Sequence, residues 1–214
     1  MDWEAFLTET SAAFRDAIER RTVPRHYEKG ALVFDQGDFD DRLFILDSGL
    51  LEVSVVSERG KKLALNRLRP HSLFGEIALF DPGARTARVE ALEPSDVRSL
   101  SKSELLAAIR SSPEILPELL SLTGKRMRWI SSQVEAQVFQ SPAERLADKI
   151  LYLMDDENRV QMSQGQLADY VGVTREVVSR ILADWQRKGI VKVSRGAIEA
   201  LEDEALESIR NPFL

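Results

Sequence analysis

The chain has 214 residues, of which 30% are charged and 43% hydrophobic, and its formal net charge is −6. This composition predicts one or two globular domains and excludes a disordered or collagen-like chain. The acidic balance excludes a uniformly basic nucleic-acid coat, but it permits a local basic patch because charges interact over roughly 8 Å at physiological salt. The chain has no cysteine, which excludes disulfides, iron–sulfur clusters and thiolate zinc sites.

The N-terminal residues predict no targeting segment. The first ten, MDWEAFLTET, are acidic and lack the apolar core of a signal peptide. Every apolar run is well short of the roughly 20 residues that a membrane span requires. We therefore expect a soluble, cytoplasmic protein. Residues 2–20 predict an amphipathic helix, because Phe6, Phe14 and Ile18 share one stripe, and Val23-Pro24 ends it.

The middle of the chain, from about residue 25 to residue 100, changes to short alternating segments. Turn residues such as Ser48-Gly49 and Arg59-Gly60 separate apolar runs over residues 43–46, 50–56 and 63–65. Many short strands with frequent turns are typical of an antiparallel sandwich or barrel.

The chain reads as helical from Ser103 onward. Ser112-Pro113 predicts the start of a long helix that continues to about Phe139, because proline is favoured in a first helical turn. Ser141-Pro142 predicts a hinge. Shorter elements follow it: helices over residues 142–154, 163–170 and 174–187, then a hairpin over residues 190–198.

The long helix carries a heptad seam. Residues recur along it at alternating steps of four and three for three heptads: Leu116, Leu120, Thr123, Met127, Ile130, Val134 and Gln137. Because Leu119 and Trp129 supply a second stripe for packing inward, the seam predicts a homodimer. The alternative is an amphipathic helix that lies on its own β domain. Thr123 and Gln137 weaken a pure zipper and suit an interface that shifts.

Residues 163–182 predict two short helices around a glycine turn. Ser163 with Gln166 fits a capping box, Gly172 suits the turn, and Thr174 is placed to cap the second helix. One side of the pair is apolar: Leu167, Ala168, Val171, Val173, Val178, Ile181 and Leu182. The other side carries four polar residues: Arg175, Glu176, Ser179 and Arg180. In a helix-turn-helix, residues at these positions contact base edges.

Local charge agrees with a DNA-binding role for this segment. Residues 159–196 carry seven arginines and lysines against three carboxylates, a net charge of +4 in an acidic chain. Phosphate contacts require such a patch. The alternative is a solvated Arg-Glu pair on a surface helix.

Residues 74–87 combine glycines with Glu76 and the pair Arg85-Thr86. A charged Glu76 inside an apolar run needs a partner. A short helix that begins at Gly75 would present backbone N–H groups to an anion, to which Arg85 adds a cation and Thr86 a hydroxyl. Glu76 would then accept a hydrogen bond from a sugar. These residues predict a ligand with a phosphate and a ribose, while spacing alone leaves an internal Glu76–Arg85 ion pair open.

The whole chain resembles the Crp–Fnr family of bacterial transcription factors. The run FGEIALFDPGARTARVEA, residues 74–91, is similar to the family's phosphate-binding cassette, and VTREVVSRIL, residues 173–182, is similar to its recognition helix. The family's turns match Gly30, Gly37, Gly49 and Gly75. The resemblance implies an α+β fold in three parts. Residues 1–111 would form an N-terminal helix with an antiparallel, cyclic-nucleotide-binding β-roll of the double-stranded β-helix type. Residues 112–139 would form a dimerisation helix, and residues 140–214 a winged helix-turn-helix.

The resemblance also implies roles for the cassette residues. By position, Glu76 binds the ribose 2′-hydroxyl. The cyclic phosphate binds Arg85, Thr86 and the backbone N–H groups from Gly75 to Ile77. The effector would be a cyclic nucleotide, cAMP or cGMP, held between the cassette and the long helix. Its binding would reshape the seam and rotate the small domains about a hinge near residues 139–142.

On the DNA side, the resemblance implies a dimer on palindromic double-stranded DNA. Arg175, Glu176 and Arg180 would read a TGTGA-like half-site, and Ser179 is the residue that the Fnr branch carries at its position. The remaining DNA-binding candidates are Thr174 at the start of the recognition helix and, as phosphate contacts, Lys188 and Lys192. RNA polymerase is a further expected partner.

Three positions depart from the family pattern. Ile130 and Ser131 stand where cAMP-binding members of the family offer a Thr-Ser pair to adenine. Ile130 cannot hydrogen-bond a base, whereas Ser131 or Ser132, from either subunit, can do so. Thr86 replaces a serine, as in cyclic-GMP-preferring domains. His71 stands where the family has glycine before the cassette. A haem site is disfavoured because the chain has only two histidines and no cysteine, so His71 is interpreted as a turn residue.

Other functions predict features that this sequence lacks. The sequence contains no GxSxG, GxxxxGK, GxGxxG or HExxH motif, so we expect no enzyme activity. A nucleotide-binding module that regulates a protein partner would not need the +4 patch. A family member that binds DNA without a cyclic nucleotide, or that senses another effector, stays open.

Overall fold

The computed structural model of the chain describes residues 10–211. Helix α1 covers Ala12–Glu19 and is N-capped by Ser11, whose hydroxyl accepts a hydrogen bond from the Phe14 amide. Phe14 and Ile18, two of the three predicted stripe residues, are fully buried. Residues 2–9 of the predicted helix, including Phe6, lie outside the described part. The chain divides into two compact units, with the boundary between Ile130 and Ser131.

The first unit contains two antiparallel four-stranded sheets. The strands and the short helix α2 follow in chain order: β1 Val23–Tyr27, β2 Leu32–Phe34, β3 Leu43–Ser48, β4 Leu51–Val56, β5 Lys62–Leu68, β6 Leu73–Phe74, α2 Glu76–Phe80, β7 Arg88–Ala91 and β8 Ser95–Leu100. One sheet has the strand order β1-β8-β3-β6, and the other has the order β2-β7-β4-β5. This is the predicted antiparallel β-roll.

Two apolar cores hold this unit together. The first lies inside the roll, where the rings of Phe34, Phe44 and Phe74 pack with centroids 5.3–6.1 Å apart. The second joins the roll to the helices, and it includes Ile45 of β3 and Phe14 of α1. Burial of such side chains contributes roughly 1.5–3 kcal/mol each, so the two cores position the cassette that lies between β6 and β7.

Helix α3 covers Lys102–Ser111, and a 3-10 turn over Pro113–Ile115 leads into helix α4, Leu116–Phe139. The predicted long helix is confirmed, with its first turn tightened at Pro113. Leu119 and Leu122 are fully buried in the helix-side core.

The second unit carries the predicted helices and hairpin. Its elements are α5 Pro142–Leu153, β9 Arg159–Val160, α6 Gln164–Val171, α7 Arg175–Arg187, β10 Val191–Ser194, β11 Ala197–Ala200 and α8 Asp203–Arg210. Strand β9 and helix α8 were not predicted. Strand β9 pairs with β11, which turns the hairpin into a three-stranded sheet behind the helix-turn-helix. The predicted winged helix-turn-helix is confirmed.

Within residues 10–211, no helix is long and apolar enough to cross a membrane. Over the same residues, no group of three or more histidine and acidic side chains is arranged to hold a metal ion.

Candidate functional site

The cassette begins where strand β6 turns into helix α2. Gly75 adopts φ +84°, a left-handed conformation that glycine tolerates and other residues rarely adopt. A Cβ at this position would lie 2.9 Å from the Arg85 Nη1 and 3.0 Å from the Arg42 carbonyl oxygen. Helix α2 follows directly, and its first N–H groups lack partners within the helix. Glycine is therefore required here by both the turn and the space.

Arg85 lies inside this turn and is only 4% exposed. Its Nη1 donates to the Gly75 carbonyl at 2.7 Å, and its Nη2 donates to the Arg42 carbonyl at 2.7 Å. The guanidinium lies 4.3 Å from the ring centroid of Phe34. Burial lowers the pKa of Arg85, although the nearby Asp40 partly offsets this effect. Arg85 is therefore part of the framework of the cassette as well as a candidate phosphate ligand.

The Asp40 carboxylate forms an ion pair with Arg85, with 3.4 Å between the Asp40 Oδ2 and the Arg85 Nη2. Burial by itself would raise the pKa of Asp40, but hydrogen bonds from Arg42 and the charge of Arg85 hold that pKa below its ordinary value. Asp40 therefore stays ionised and balances the buried charge. Local sequence pattern gives no signal for Asp40, because it lies 45 positions before Arg85 in the chain.

Glu76 is buried and its carboxylate contacts helix α4. The Arg126 Nε lies 3.1 Å from the Glu76 Oε1, and the Arg126 Nη2 donates to the Leu73 carbonyl at 2.7 Å. Burial lowers the pKa of Arg126, and the charge of Glu76 opposes this effect. The apolar run around Glu76 did predict a charge partner. The structure assigns Arg126 to that role, and the sequence analysis did not name it.

A cavity of about 80 Å³ opens beside these residues, lined by Glu76, Ile77, Arg85, Thr86 and Arg126. Thr86 and Ile77 are exposed at its edge. Gly75 lines it as well, so all the predicted cassette residues meet at one place. The other two predicted ligand contacts, Ile130 and Ser131, are exposed on helix α4, and Ile130 lies one helical turn after Arg126.

The turn before the cassette confirms the interpretation of His71. Its backbone has φ +72°, so it occupies a left-handed turn position at which glycine is usual. The ring is exposed.

The seam residues of helix α4 are exposed in the single chain. Leu120 is 62% exposed, Met127 66% and Val134 58%, whereas Leu119 on the inward stripe is fully buried. Leu120 and Met127, which belong to the first unit, therefore do not pack on the β domain, as the alternative to a dimer required. Thr123 donates its hydroxyl to the Leu119 carbonyl and so satisfies its polar group within the helix.

The helix-turn-helix is built as its sequence predicts. Ser163 and Gln166 form the capping box of α6, and Gly172 ends that helix with φ +75°. Thr174 occupies the N-cap of α7, but its side chain makes no capping hydrogen bond, so the predicted capping role is wrong. The pKa of Glu176 is lowered by its own backbone amide and by the Thr174 hydroxyl.

The predicted base-reading residues share one exposed face of α7: Arg175, Glu176, Ser179 and Arg180. Thr174, the further DNA-binding candidate, is exposed at the N-cap that precedes them. Val178 and Leu182 on the opposite face are fully buried. This division leaves the polar side chains accessible along the first two turns of the helix.

The two predicted phosphate contacts are exposed but paired with acidic groups. The Lys188 Nζ lies 2.8 Å from the Asp184 Oδ2, and the Lys192 Nζ lies 3.7 Å from the Glu199 Oε2. Such surface pairs are worth little, typically about 0–1 kcal/mol, so a DNA phosphate can replace them.

Two arginines, Arg175 and Arg195, line a cleft next to the recognition helix. The cleft, of about 460 Å³, separates α6 from the β10–β11 hairpin, and its lining includes Ser163, Arg175 and Arg195. Arg195 is exposed at the hairpin turn. Arg195 belongs to the predicted basic patch but was not among the predicted site residues. Its position directly before Gly196 in a predicted hairpin turn was the sequence feature that could have identified it.

Comparison with known proteins matches both units. The cyclic nucleotide-binding domain family matches residues 24–112, and the Crp-like helix-turn-helix domain family matches residues 144–209. The chain is 31% identical over 187 residues to the cyclic AMP receptor protein of Thermus thermophilus, covering 86% of this chain and 87% of that protein. It is 26% identical to a CRP-like cAMP-activated global transcriptional regulator of Mycobacterium tuberculosis, covering 89% of each.

Solved structures show the same architecture. The crystal structure of the Thermus thermophilus catabolite activator protein aligns with a TM-score of 0.58 and 28% identity, over 99% of this chain and 100% of that one. A c-di-GMP responsive global regulator from Xanthomonas campestris has the same fold, with a TM-score of 0.80 and 20% identity over 89% of this chain and 99% of that one. Two domain matches and relatives aligned along most of their length show that this chain belongs to the Crp–Fnr family of transcriptional regulators, with a cyclic nucleotide-binding domain and a helix-turn-helix domain.

Proposed function

We propose that this protein is a homodimeric, DNA-binding transcriptional regulator controlled by a cyclic nucleotide. The observation that carries the proposal is the meeting of Gly75, Glu76, Arg85 and Thr86 around one cavity, in a chain whose second unit exposes a basic recognition helix. Functionally we divide the chain as residues 1–111, 112–139 and 140–214. We propose no enzyme activity for it.

The cassette favours the phosphoribose part of the ligand over any particular base. The N-terminus of α2 and the Thr86 hydroxyl suit a phosphate, and the Glu76 carboxylate suits a ribose hydroxyl. The base would lie against α4 near Ile130 and Ser131, where serine can hydrogen-bond a purine and isoleucine cannot. We propose cAMP as the first candidate, because two relatives aligned over most of this chain are named a cyclic AMP receptor protein and a cAMP-activated regulator, and cGMP as the second.

Calorimetric titration of the full-length dimer with cAMP and with cGMP tests this proposal. Thr86→Val keeps the shape of an exposed side chain and removes one phosphate hydrogen bond, so it should weaken binding by about 0.5–1.5 kcal/mol. Thr22→Val, outside the cassette, is the matched control and should bind like the parent. No binding of either nucleotide by the parent protein would reject control by cAMP or cGMP.

On the DNA side, we propose that two recognition helices enter successive major grooves, about 34 Å apart, at a palindromic TGTGA-like site. Arg180 would contact a guanine edge, and Arg175, Glu176 and Ser179 would read neighbouring bases. The exposed seam of α4 would form the dimer, in which Leu120, Met127 and Val134 are covered. RNA polymerase is the proposed partner on bound promoters.

Arg180→Ala tests base reading. Loss of a bidentate guanine contact should cost about 1–3 kcal/mol per half-site and relax the preference at one base pair. The measurement is a titration against a library of half-site variants, with nucleotide affinity as the folding control. A uniform loss of affinity, with no relaxed position, would show that Arg180 reads no base.

One observation favours a second candidate, a family regulator that binds DNA without a cyclic nucleotide. Both terminal nitrogens of Arg85 already donate to protein carbonyls, and Glu76 already pairs with Arg126. A phosphate or ribose must therefore share these groups with the protein. Specific DNA binding at the same affinity with and without nucleotide would support this candidate.

A further inference from the structure

The hairpin of strands β10 and β11, residues 191–200, forms the wing of the second unit. Strand β10 lies at the edge of the three-stranded sheet, where part of its backbone has no neighbouring strand. The Val193 amide, on that strand, donates to the side-chain Oε1 of Gln186 at 3.0 Å. Because a backbone N–H can only donate, the oxygen of the Gln186 amide must face it.

Gln186 lies in the last turn of the recognition helix α7, so this bond joins the wing directly to the helix. Three residues beyond the bonded strand position, Gly196 turns the hairpin with φ +80°, and Arg195 precedes it. Arg195 and Arg175 are both exposed and line the same cleft beside the N-terminal end of α6. The position of the wing therefore sets how far Arg195 lies from the recognition helix.

We infer that Gln186 is a positioning residue for DNA binding, which holds the wing so that Arg195 contacts a DNA phosphate while α7 occupies the major groove. The inference rests on the proposed DNA-binding function. Gln186 itself touches no base in this arrangement. It acts through Arg195, whose charge supplies a contact that strengthens binding to every sequence alike.

The first test is amide hydrogen exchange of Val193 in the free protein, which needs no DNA. Gln186→Met removes the acceptor and keeps the length of the side chain, so exchange at Val193 should become at least roughly tenfold faster. Gln186→Glu keeps an acceptor at this position, so exchange at Val193 should stay as slow as in the parent. Gln161→Met makes the same chemical change at an exposed position of the same unit and should leave Val193 as in the parent. Unchanged exchange in Gln186→Met would overturn the inference.

The second test is a double-mutant cycle on DNA. Gln186→Met should weaken binding to the preferred palindrome by roughly three- to tenfold, the value of a hydrogen bond, with base preference unchanged. Arg195→Ala should lower the slope of the logarithm of the DNA-binding constant against the logarithm of salt concentration by about 2, because each of the two wings loses one phosphate contact. Adding Gln186→Met to Arg195→Ala should cost less than about twofold more, because both changes remove one contact.

The outcomes separate this inference from the proposed function. Additive losses, or a changed base preference in Gln186→Met, would overturn the inference and leave DNA binding intact. A parent protein that binds no DNA would overturn both.

Discussion

The buried ion pair between Glu76 and Arg126 should decide how firmly helix α4 is joined to the cassette. Their side chains are 5% and 16% exposed, and the charged atoms lie 3.1 Å apart. Arg126→Met removes one partner and leaves the Glu76 carboxylate buried without it. Breaking such a pair typically costs about 3–5 kcal/mol, because an uncompensated charge stays in a low-dielectric site. The Leu73 carbonyl also loses its donor.

For a unit of this size, about 1 kcal/mol corresponds to roughly 3 °C, so we expect the first unit to melt about 10–15 °C lower. Differential scanning calorimetry of the full chain is the assay. Arg128→Met changes an exposed arginine of the same helix and should shift the transition by less than about 2 °C.

The double variant Arg126→Met/Glu76→Leu separates the buried charge from lost packing. Replacing both partners by apolar side chains is often near neutral, so the double variant should recover more than half of the lost stability. A loss under about 1 kcal/mol for Arg126→Met would show that solvent screens the pair. A double variant as unstable as the single one would show that the cost does not come from an unpaired carboxylate.

Three further outcomes follow from the described contacts. Arg85→Leu should abolish nucleotide binding and also lower the unfolding free energy by about 2–4 kcal/mol, because two carbonyls lose buried donors; a normal melting curve would contradict the framework role. Ile130→Thr should raise cAMP affinity relative to cGMP by about 0.5–1.5 kcal/mol in calorimetry, with dimerisation checked separately, and an unchanged ratio would assign base reading elsewhere. The hydrogen bond to Asp96 raises the pKa of His26, so its stabilisation is present below about pH 6.5 and is lost as pH rises through the raised pKa. The parent's melting temperature should therefore fall as pH rises from 5 to 9, and His26→Gln should lack this contribution to the fall. Identical melting-temperature profiles for the two proteins would show that solvent screens the His26–Asp96 pair.

Local patterns in the sequence determined most of the architecture. Alternation between residues 25 and 100 predicted the strands, Ser112-Pro113 predicted the start of the long helix, and the heptad steps predicted a seam that the single chain leaves exposed at Leu120 and Met127. Ser163, Gln166 and Gly172 marked the two ends of α6, because caps and left-handed turns depend on neighbouring residues alone. Strand β9 escaped prediction because it is two residues long and gains its partner only through β11.

Tertiary structure decided the partners within the site. The cassette residues were predicted as a group, but the contacts of Glu76 with Arg126 and of Arg85 with Arg42 and Asp40 join positions more than 40 residues apart. Periodicity records which side chains are buried, and it carries no information on which buried charges meet. Sequence reasoning therefore located the cassette, whereas folding turned Arg85 inward and gave Glu76 its counter-ion, because buried charges must find partners wherever the chain brings them together.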